Sequence, residues 1–173
     1  MGTTRLVTVG DAAVLTGLVR ANRGFLAPWD PVRKESYYTP EGQLEAIRNA
    51  LRLHEQGSAV PHVVLDGEGR VVGRVTLSRI EHGPFLSCGL GYWVAEPAGG
   101  RGLATAAVGA LVRLAFDELG LHRVEAGTLL HNHRSQRVLE KCGFVRFGVA
   151  PGYLHIAGQW QDHALYQVLN PRA

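Results

Sequence analysis

Three glycines, Gly99, Gly100 and Gly102, stand between the apolar run Gly91-Tyr92-Trp93-Val94-Ala95 and a helix-forming stretch that begins at Leu103. Glycine lets the backbone bend where a side chain would clash, and the first amides of a following helix point outward, unpaired, with the positive end of the helix dipole behind them. Such a turn can cradle an anion such as a pyrophosphate. On this stretch alone, a plain tight strand-to-helix connection is an equal reading. Glu125, between Val124 and Ala126, is the second group with chemistry within reach. A partly buried carboxylate there suits proton transfer, and an ion pair with Arg123 is the alternative. His122, His131 and His133 read either as proton relays or as surface histidines without a role. Neither they nor Cys88 and Cys142 have metal-ligand spacing, so no metal is expected and the cysteines read as reduced core thiols.

The chain that must position these groups has 173 residues, 46% hydrophobic and 19% charged, which is enough to bury one core. A single domain over residues 1–173 is expected, without the charge excess of a disordered chain. No apolar run approaches the roughly 20 residues that span a bilayer, and the start lacks a basic-then-apolar leader pattern, so a cytoplasmic protein is expected. The net charge of +3 fits a polyanionic ligand, but Lys and Arg are scattered. Without a basic block, direct nucleic-acid binding is not expected. Monomer and homodimer both stay open.

Hydrophobic spacing sets out the elements. Arg5 to Gly10 reads as a short strand, and Asp11 as the cap of a helix carrying Val14, Leu15, Leu18 and Val19. Arg20 to Thr39 is irregular and rich in aromatics. Thr39-Pro40 opens a second helix that runs to Gln56 through Leu44, Ile47 and Leu51. Val60 to Leu65 and Arg70 to Ile80 flank the hairpin signal Asp66-Gly67-Glu68-Gly69. A strand over Leu86 to Ala95 leads into the glycine turn and a helix from Leu103 to Leu119, closed by Gly120. A strand over Leu121–Leu129, a helix over Asn132–Cys142, and strands over Phe144–Val149 and Leu165–Leu169 complete the order. Antiparallel strands first and a strand-helix-strand-helix-strand unit second predict an α/β mixed sheet with helices on both faces.

In this order of elements the sequence resembles the GNAT superfamily of acyl-coenzyme A transferases. Gly99-x-x-Gly102-x-Ala104 sits where that family has its pyrophosphate loop, and Asn132-x-x-Ser135 followed by Leu139-Glu140-Lys141-Cys142-Gly143-Phe144 resembles its Asn-x-x-Ser, Leu-x-x-x-Gly-Phe helix. The segments Asn22 to Arg33 and Tyr153 to His163 resemble the Rim-type ribosomal-protein-alanine N-acetyltransferases. The resemblance implies a mostly antiparallel central sheet splayed in the middle and acetyl-CoA as cosubstrate. It implies coenzyme contacts from Trp93, Val94 and Ala95, from the loop Gly99, Gly100, Arg101, Gly102, Leu103, Ala104 and Thr105, and from Asn132 and Ser135. Glu125 would be the base, with a water relay as the other possibility. Ser135 would protonate the leaving thiolate, since the family's tyrosine acid is replaced by Leu139. The family's usual Gln or Arg is replaced by Gly99, so Arg101 would have to supply any side-chain contact to phosphate. Phe25, Leu26, Trp29, Tyr92, Tyr153 and Trp160 would surround the acceptor. The implied reaction is direct transfer, in a ternary complex, of an acetyl group to a protein N-terminal α-amine, expected to be an alanine of a ribosomal protein. Transfer to an antibiotic or polyamine, or a non-catalytic acyl-CoA sensor, are the alternatives.

Overall fold

A computed structural model describes residues 3–172. Seven strands form one sheet: β1 (Thr4–Leu6), β2 (Ala59–Leu65), β3 (Val71–Glu81), β4 (Ser87–Val94), β5 (Arg123–Leu129), β6 (Val145–Ile156) and β7 (Gln159–Leu169). Their order is β1-β2-β3-β4-β5-β7-β6, antiparallel everywhere except between β4 and β5. The helices are α1 (Ala12–Ala21), α2 (Arg23–Leu26), α3 (Pro40–Glu55), α4 (Leu103–Asp117) and α5 (His133–Lys141).

Alternation along the strands divides the buried residues into two cores. Leu111, Val108, Ala107 and Leu139 of α4 and α5 pack with Val75, Leu77, Leu90, Val124 and Tyr166 on one face. Leu15 and Ile47 of α1 and α3 pack with Val63 and Leu65 on the other. Helix α3 starts as the Thr39-Pro40 pair predicts: the Thr39 hydroxyl accepts the Gly42 amide at 3.1 Å, and proline occupies a position whose N–H has no helical partner.

Between β4 and β5 the sheet opens. Only Ser87, Cys88 and Gly89 pair with Arg123, Val124 and Glu125. Beyond them β4 continues to Val94 and β5 to Leu129 without facing hydrogen bonds. The two strands then run into the loops that start α4 and α5. The expected splay is present, and both helix N-termini stand at its open end.

Three boundaries differ from the sequence reading. The first strand stops at Leu6, and Asp11 does not cap α1. Its carboxylate instead takes the Thr8 amide at 2.8 Å and the Arg5 guanidinium at 2.7 and 2.8 Å, which holds it below the usual carboxylate range. Within the irregular 20–39 segment, Arg23–Leu26 is a short helix. The last two strands are longer than expected and join through a tight turn at Ala157-Gly158, where Ala157 takes a positive φ of 49°. β6 is an exposed edge strand, and Pro151 and Gly152 in its middle break its strand signal after Val149. Among the described residues no helix is long and apolar enough to cross a membrane.

His62 of β2 reports on the packing of β1. Its Nδ1 lies 3.2 Å from the Thr4 hydroxyl, and burial, reinforced by His54, lowers its pKa to about 4. The folded chain therefore holds His62 neutral while the unfolded chain binds a proton below about pH 6.5. Stability is expected to fall as pH drops from about 6.5 to 4, by on the order of 1 kcal/mol once the residual solvent exposure of the ring is allowed for. Urea midpoints of wild type and His62→Gln across that range check this. The variant should lose the slope, and equal slopes would remove His62 as its source.

Candidate active site

The turn after β4 leaves a run of backbone amides unspent. Gly100 and Gly102 hold φ of 73° and 77°, in the left-handed region that favours glycine, and Gly102 caps α4. The first helical bond of α4 runs from the Ala106 amide to the Gly102 carbonyl at 2.9 Å. Among the described residues, the N–H groups of Gly100, Arg101, Gly102, Leu103, Ala104 and Thr105 have no acceptor. Gly99 is different. Its N–H closes a 3-10 turn on the Glu96 carbonyl at 3.0 Å, so the free amides begin one residue later than the loop motif implies.

The strand contacts are also fewer than implied. The Ala95 amide donates to Val72 at 2.8 Å, and bonded pairs alternate along an antiparallel ladder. With Trp93 opposite Arg74, the Trp93 backbone also turns to β3. Val94 and Tyr92 turn theirs to the open split. Of Trp93, Val94 and Ala95, only Val94 has a backbone amide free to meet a ligand there.

Across the split, α5 begins at Asn132, whose Oδ1 accepts the Ser135 amide at 3.1 Å. The cap reading is therefore realised, and the Asn132 amide nitrogen keeps its own donors. The Ser135 hydroxyl lies 2.8 Å from the hydroxyl of Tyr92, which also donates to the Ser135 carbonyl at 3.1 Å. This corrects the placement of Tyr92 at the acceptor mouth. Tyr92 shares the parity of Leu90 and Val94, so its ring faces α4 and α5. Burial pushes its pKa above the ordinary phenol value, only partly opposed by the bond to Ser135, so it stays protonated and is a donor at neutral pH. Leu139, where the family's tyrosine would sit, is fully buried. A tyrosine hydroxyl therefore reaches the start of α5 from β4 instead of from α5 itself.

The opposite face of the split is floored by two exposed glycines, Gly91 on β4 and Gly127 on β5. Glu125 lies on this face, at the last rung where the strands still pair, opposite Gly89. Its carboxylate accepts from Arg123 at 3.2 Å, and the guanidinium of Arg79 covers Gly89 beside it. The ion-pair reading of Glu125 is thus the one observed. Of the remaining acceptor residues, Leu26 lines a cleft of about 290 Å³ with Asp30, Arg33, Tyr37, Tyr38 and Ala157. The tip of the β6–β7 hairpin closes that cleft through the Ala157 amide, which donates to Asp30 at 3.0 Å. Phe25 is half-buried on α2. Trp29 stacks at 5.5 Å on His131, the residue before Asn132, and Tyr153 at 5.5 Å on His163. Trp160 stands apart. It is 68% exposed, contacts His155, and lies on the strand face opposite His163, away from the cleft.

Three ionisable groups here, Asp30, Arg74 and His163, are assigned no role by the sequence alone. Burial raises the Asp30 pKa, with Arg33 at 3.5 Å partly offsetting it. Arg74, beside Trp93 on β3, has its pKa lowered by burial and by the neighbouring charge of Arg33, with the Tyr37 phenol also within reach. Among the described residues Arg74 has no acidic partner. His163 is buried in β7. The aromatic and charged composition of residues 22–38 was the available signal for the cleft, whereas nothing local marked Arg74. Cys88, whose burial pushes its pKa up to about 12, is no nucleophile at neutral pH. Among the described residues no cluster of His, Cys, Asp and Glu could hold a metal ion.

A model of the acetyltransferase (GNAT) domain matches residues 3–145. The chain belongs to the GNAT acetyltransferase family. It is 37% identical over 168 residues to the ribosomal protein uS5-alanine N-acetyltransferase of Escherichia coli, covering 96% of this chain and 87% of the relative. The solved structure of RimJ from Mycobacterium smegmatis in complex with CoA-disulfide superposes with a TM-score of 0.94 at 30% identity, over 98% of this chain and 82% of that one. A more distant relative, the spermidine N(1)-acetyltransferase of Vibrio cholerae, is 26% identical over 160 residues, 92% of this chain and 88% of its own. This GNAT enzyme is therefore of the Rim type in sequence and fold. The RimJ structure carries coenzyme A, in keeping with acyl-CoA use by this family.

Proposed function

We propose that this enzyme transfers an acetyl group from acetyl-CoA to the N-terminal α-amine of a protein, an alanine of a ribosomal protein being the leading candidate. The observation that carries the reading is the open split, with unpaired α4 amides on one side and an arginine-bearing acceptor cleft on the other. Acetyl-CoA supplies an electrophilic thioester and a thiolate leaving group. The Gly100–Thr105 amides and Arg101 would hold its pyrophosphate, the Val94 and Tyr92 amides and the Asn132 amide nitrogen its pantetheine arm, and Ser135 with Tyr92 would give a proton to sulfur. Leu26, Trp29 and Tyr153 would wall the acceptor.

Charge favours a peptide over a polyamine. The acceptor cleft and its margin carry Arg23 and Arg33 against Asp30 and Glu35, Arg23 and Glu35 neutralise each other, and half-buried Arg74 of β3 lies within electrostatic reach of Tyr37 and Arg33 in the cleft. A half-buried arginine without a carboxylate repels a polycation and suits the carbonyls or acidic side chains of a peptide. Thiol release from acetyl-CoA should therefore be confined to peptides with free alanine, serine or methionine N-termini, when these are set beside aminoglycosides, polyamines and an N-terminally blocked lysine peptide. Turnover of the polyamines or drugs instead would overturn the assignment. Coenzyme binding without any turnover would favour a sensor.

A further inference from the structure

We infer that His163 is the group that takes the proton from the acceptor amine. The inference rests on the amine-acetylation reading above and concerns a residue to which that reading gives no role. His163 pairs with Leu129 in the β5–β7 ladder, so it shares a face with Gly127 and Glu125, the acceptor side of the split. Only 3% of the residue is exposed. Its Nδ1 lies 3.0 Å from the Gln161 carbonyl oxygen, which can only accept, so the proton sits on Nδ1 and the lone pair on Nε2. Among the described residues Nε2 has no hydrogen-bond partner, and it is not among the unpartnered polar atoms sealed from solvent.

The ring edge that carries Nε2 lies over Gly127, which borders the split. Cδ2, bonded to Nε2, lies 3.6 Å from where a Cβ on Gly127 would be, Gly127 is exposed, and the Tyr153 ring, which packs against the same imidazole, lies 3.7 Å from that point. The absence of a side chain at residue 127 leaves the space between this imidazole and the strand edge open. Against the imidazole β6 contributes Tyr153, while Glu125, bonded to Arg123, lies on the same face but four residues along β5 from Leu129, the rung of His163. Asp162, the neighbour in β7, points to the other face and accepts the Gly152 amide at 2.8 Å.

The step balances as follows. The amine lone pair forms the C–N bond at the acetyl carbon as the carbonyl π electrons move to oxygen. Nε2 of His163 first takes the proton that makes the acceptor an ammonium, which frees that lone pair, and the second proton of the nitrogen leaves to water as the amide forms. Return of the oxygen electrons expels sulfur as thiolate, which receives a proton from the Ser135–Tyr92 side, and the imidazolium returns its proton to water.

The test compares wild type, His163→Gln and Glu125→Gln on whichever amine of the panel wild type acetylates, reading kcat and the KM of acetyl-CoA from pH 6 to 9. His163→Gln should lose about 100-fold in kcat at pH 7 with an unchanged coenzyme KM, the size of a lost general base. The loss should shrink as pH passes the α-amine pKa of about 7.7–8.0, because the acceptor is then neutral without help. On a peptide α-amine, a loss that does not vary with pH, or a pH-dependent loss in Glu125→Gln instead, overturns the assignment to His163. Wild-type turnover of polyamines alone would sink the peptide reading. Amines of pKa about 10.4 stay protonated to pH 9, so the His163→Gln loss should then persist across the range, and wild-type kcat in that variant would overturn the base. No turnover with any amine overturns both. Should His163→Gln fail to fold, imidazole 15N shifts of the wild-type protein decide. The Nδ1–H tautomer is expected, and the Nε2–H tautomer removes the base.

Discussion

Replacing Ser135 with alanine is expected to lower kcat by roughly 10- to 100-fold while coenzyme affinity stays within a few-fold, and Tyr92→Phe is expected to reproduce most of that loss. General acids contribute about 10²- to 10⁴-fold, and a thiol of pKa near 8.5 needs less help than a poorer leaving group, which places the effect at the low end. The two hydroxyls are 2.8 Å apart, and Tyr92 packs on the α4–α5 side of the sheet, so each orients the other. The phenol stays protonated because burial disfavours its anion, which makes it the reserve from which the serine proton can be replaced. If they act as one unit, the double variant should be no worse than the worse single one, a coupling that a double-mutant cycle reads directly. Additive losses would mean separate roles. Wild-type kcat in both single variants would remove the pair from the chemistry.

Ala104→Pro is expected to weaken coenzyme A binding by about 10- to 100-fold without unfolding the protein. Ala104 lies in the first turn of α4, where proline is tolerated because the N–H it removes has no helical partner. The same N–H is one of the free donors facing the split. A hydrogen bond from a backbone amide to a charged phosphate is worth about 1.5–3 kcal/mol, which gives the expected range. Calorimetric titration of coenzyme A with circular dichroism as the folding control checks this. Unchanged affinity with an intact fold would take the loop out of the binding site.

Much of the architecture was legible in the chain because it rests on local rules. The Thr39-Pro40 start of α3 and the Gly102 entry to α4 are set by capping and backbone freedom within a few residues. Strand alternation in β4 also separates Tyr92 from Trp93, so the side of the sheet that Tyr92 occupies could have been read from Leu90-x-Tyr92-x-Val94. The hairpin of β6 and β7 could not. Its outer strand is an exposed edge with apolar residues on both faces and Pro151-Gly152 in its middle, and the alternation of apolar and polar residues vanishes where neither face is buried.

The sequence by itself determined the element order, the glycine turn that opens α4 and the family, since each depends on residue type at short spacing. Only the tertiary structure decided which groups face the open split. Ala95 and Trp93 turn their amides to β3 because of the register of a ladder, and Glu125 answers to Arg123 because the strands still pair at its rung. His163 meets Gly127, and Tyr92 meets Ser135 across 43 residues of chain, through pairings that no local propensity encodes. The physical reason is that register and splay are set by the packing of distant segments. They decide which backbone and side-chain donors remain unspent, and those donors are the site.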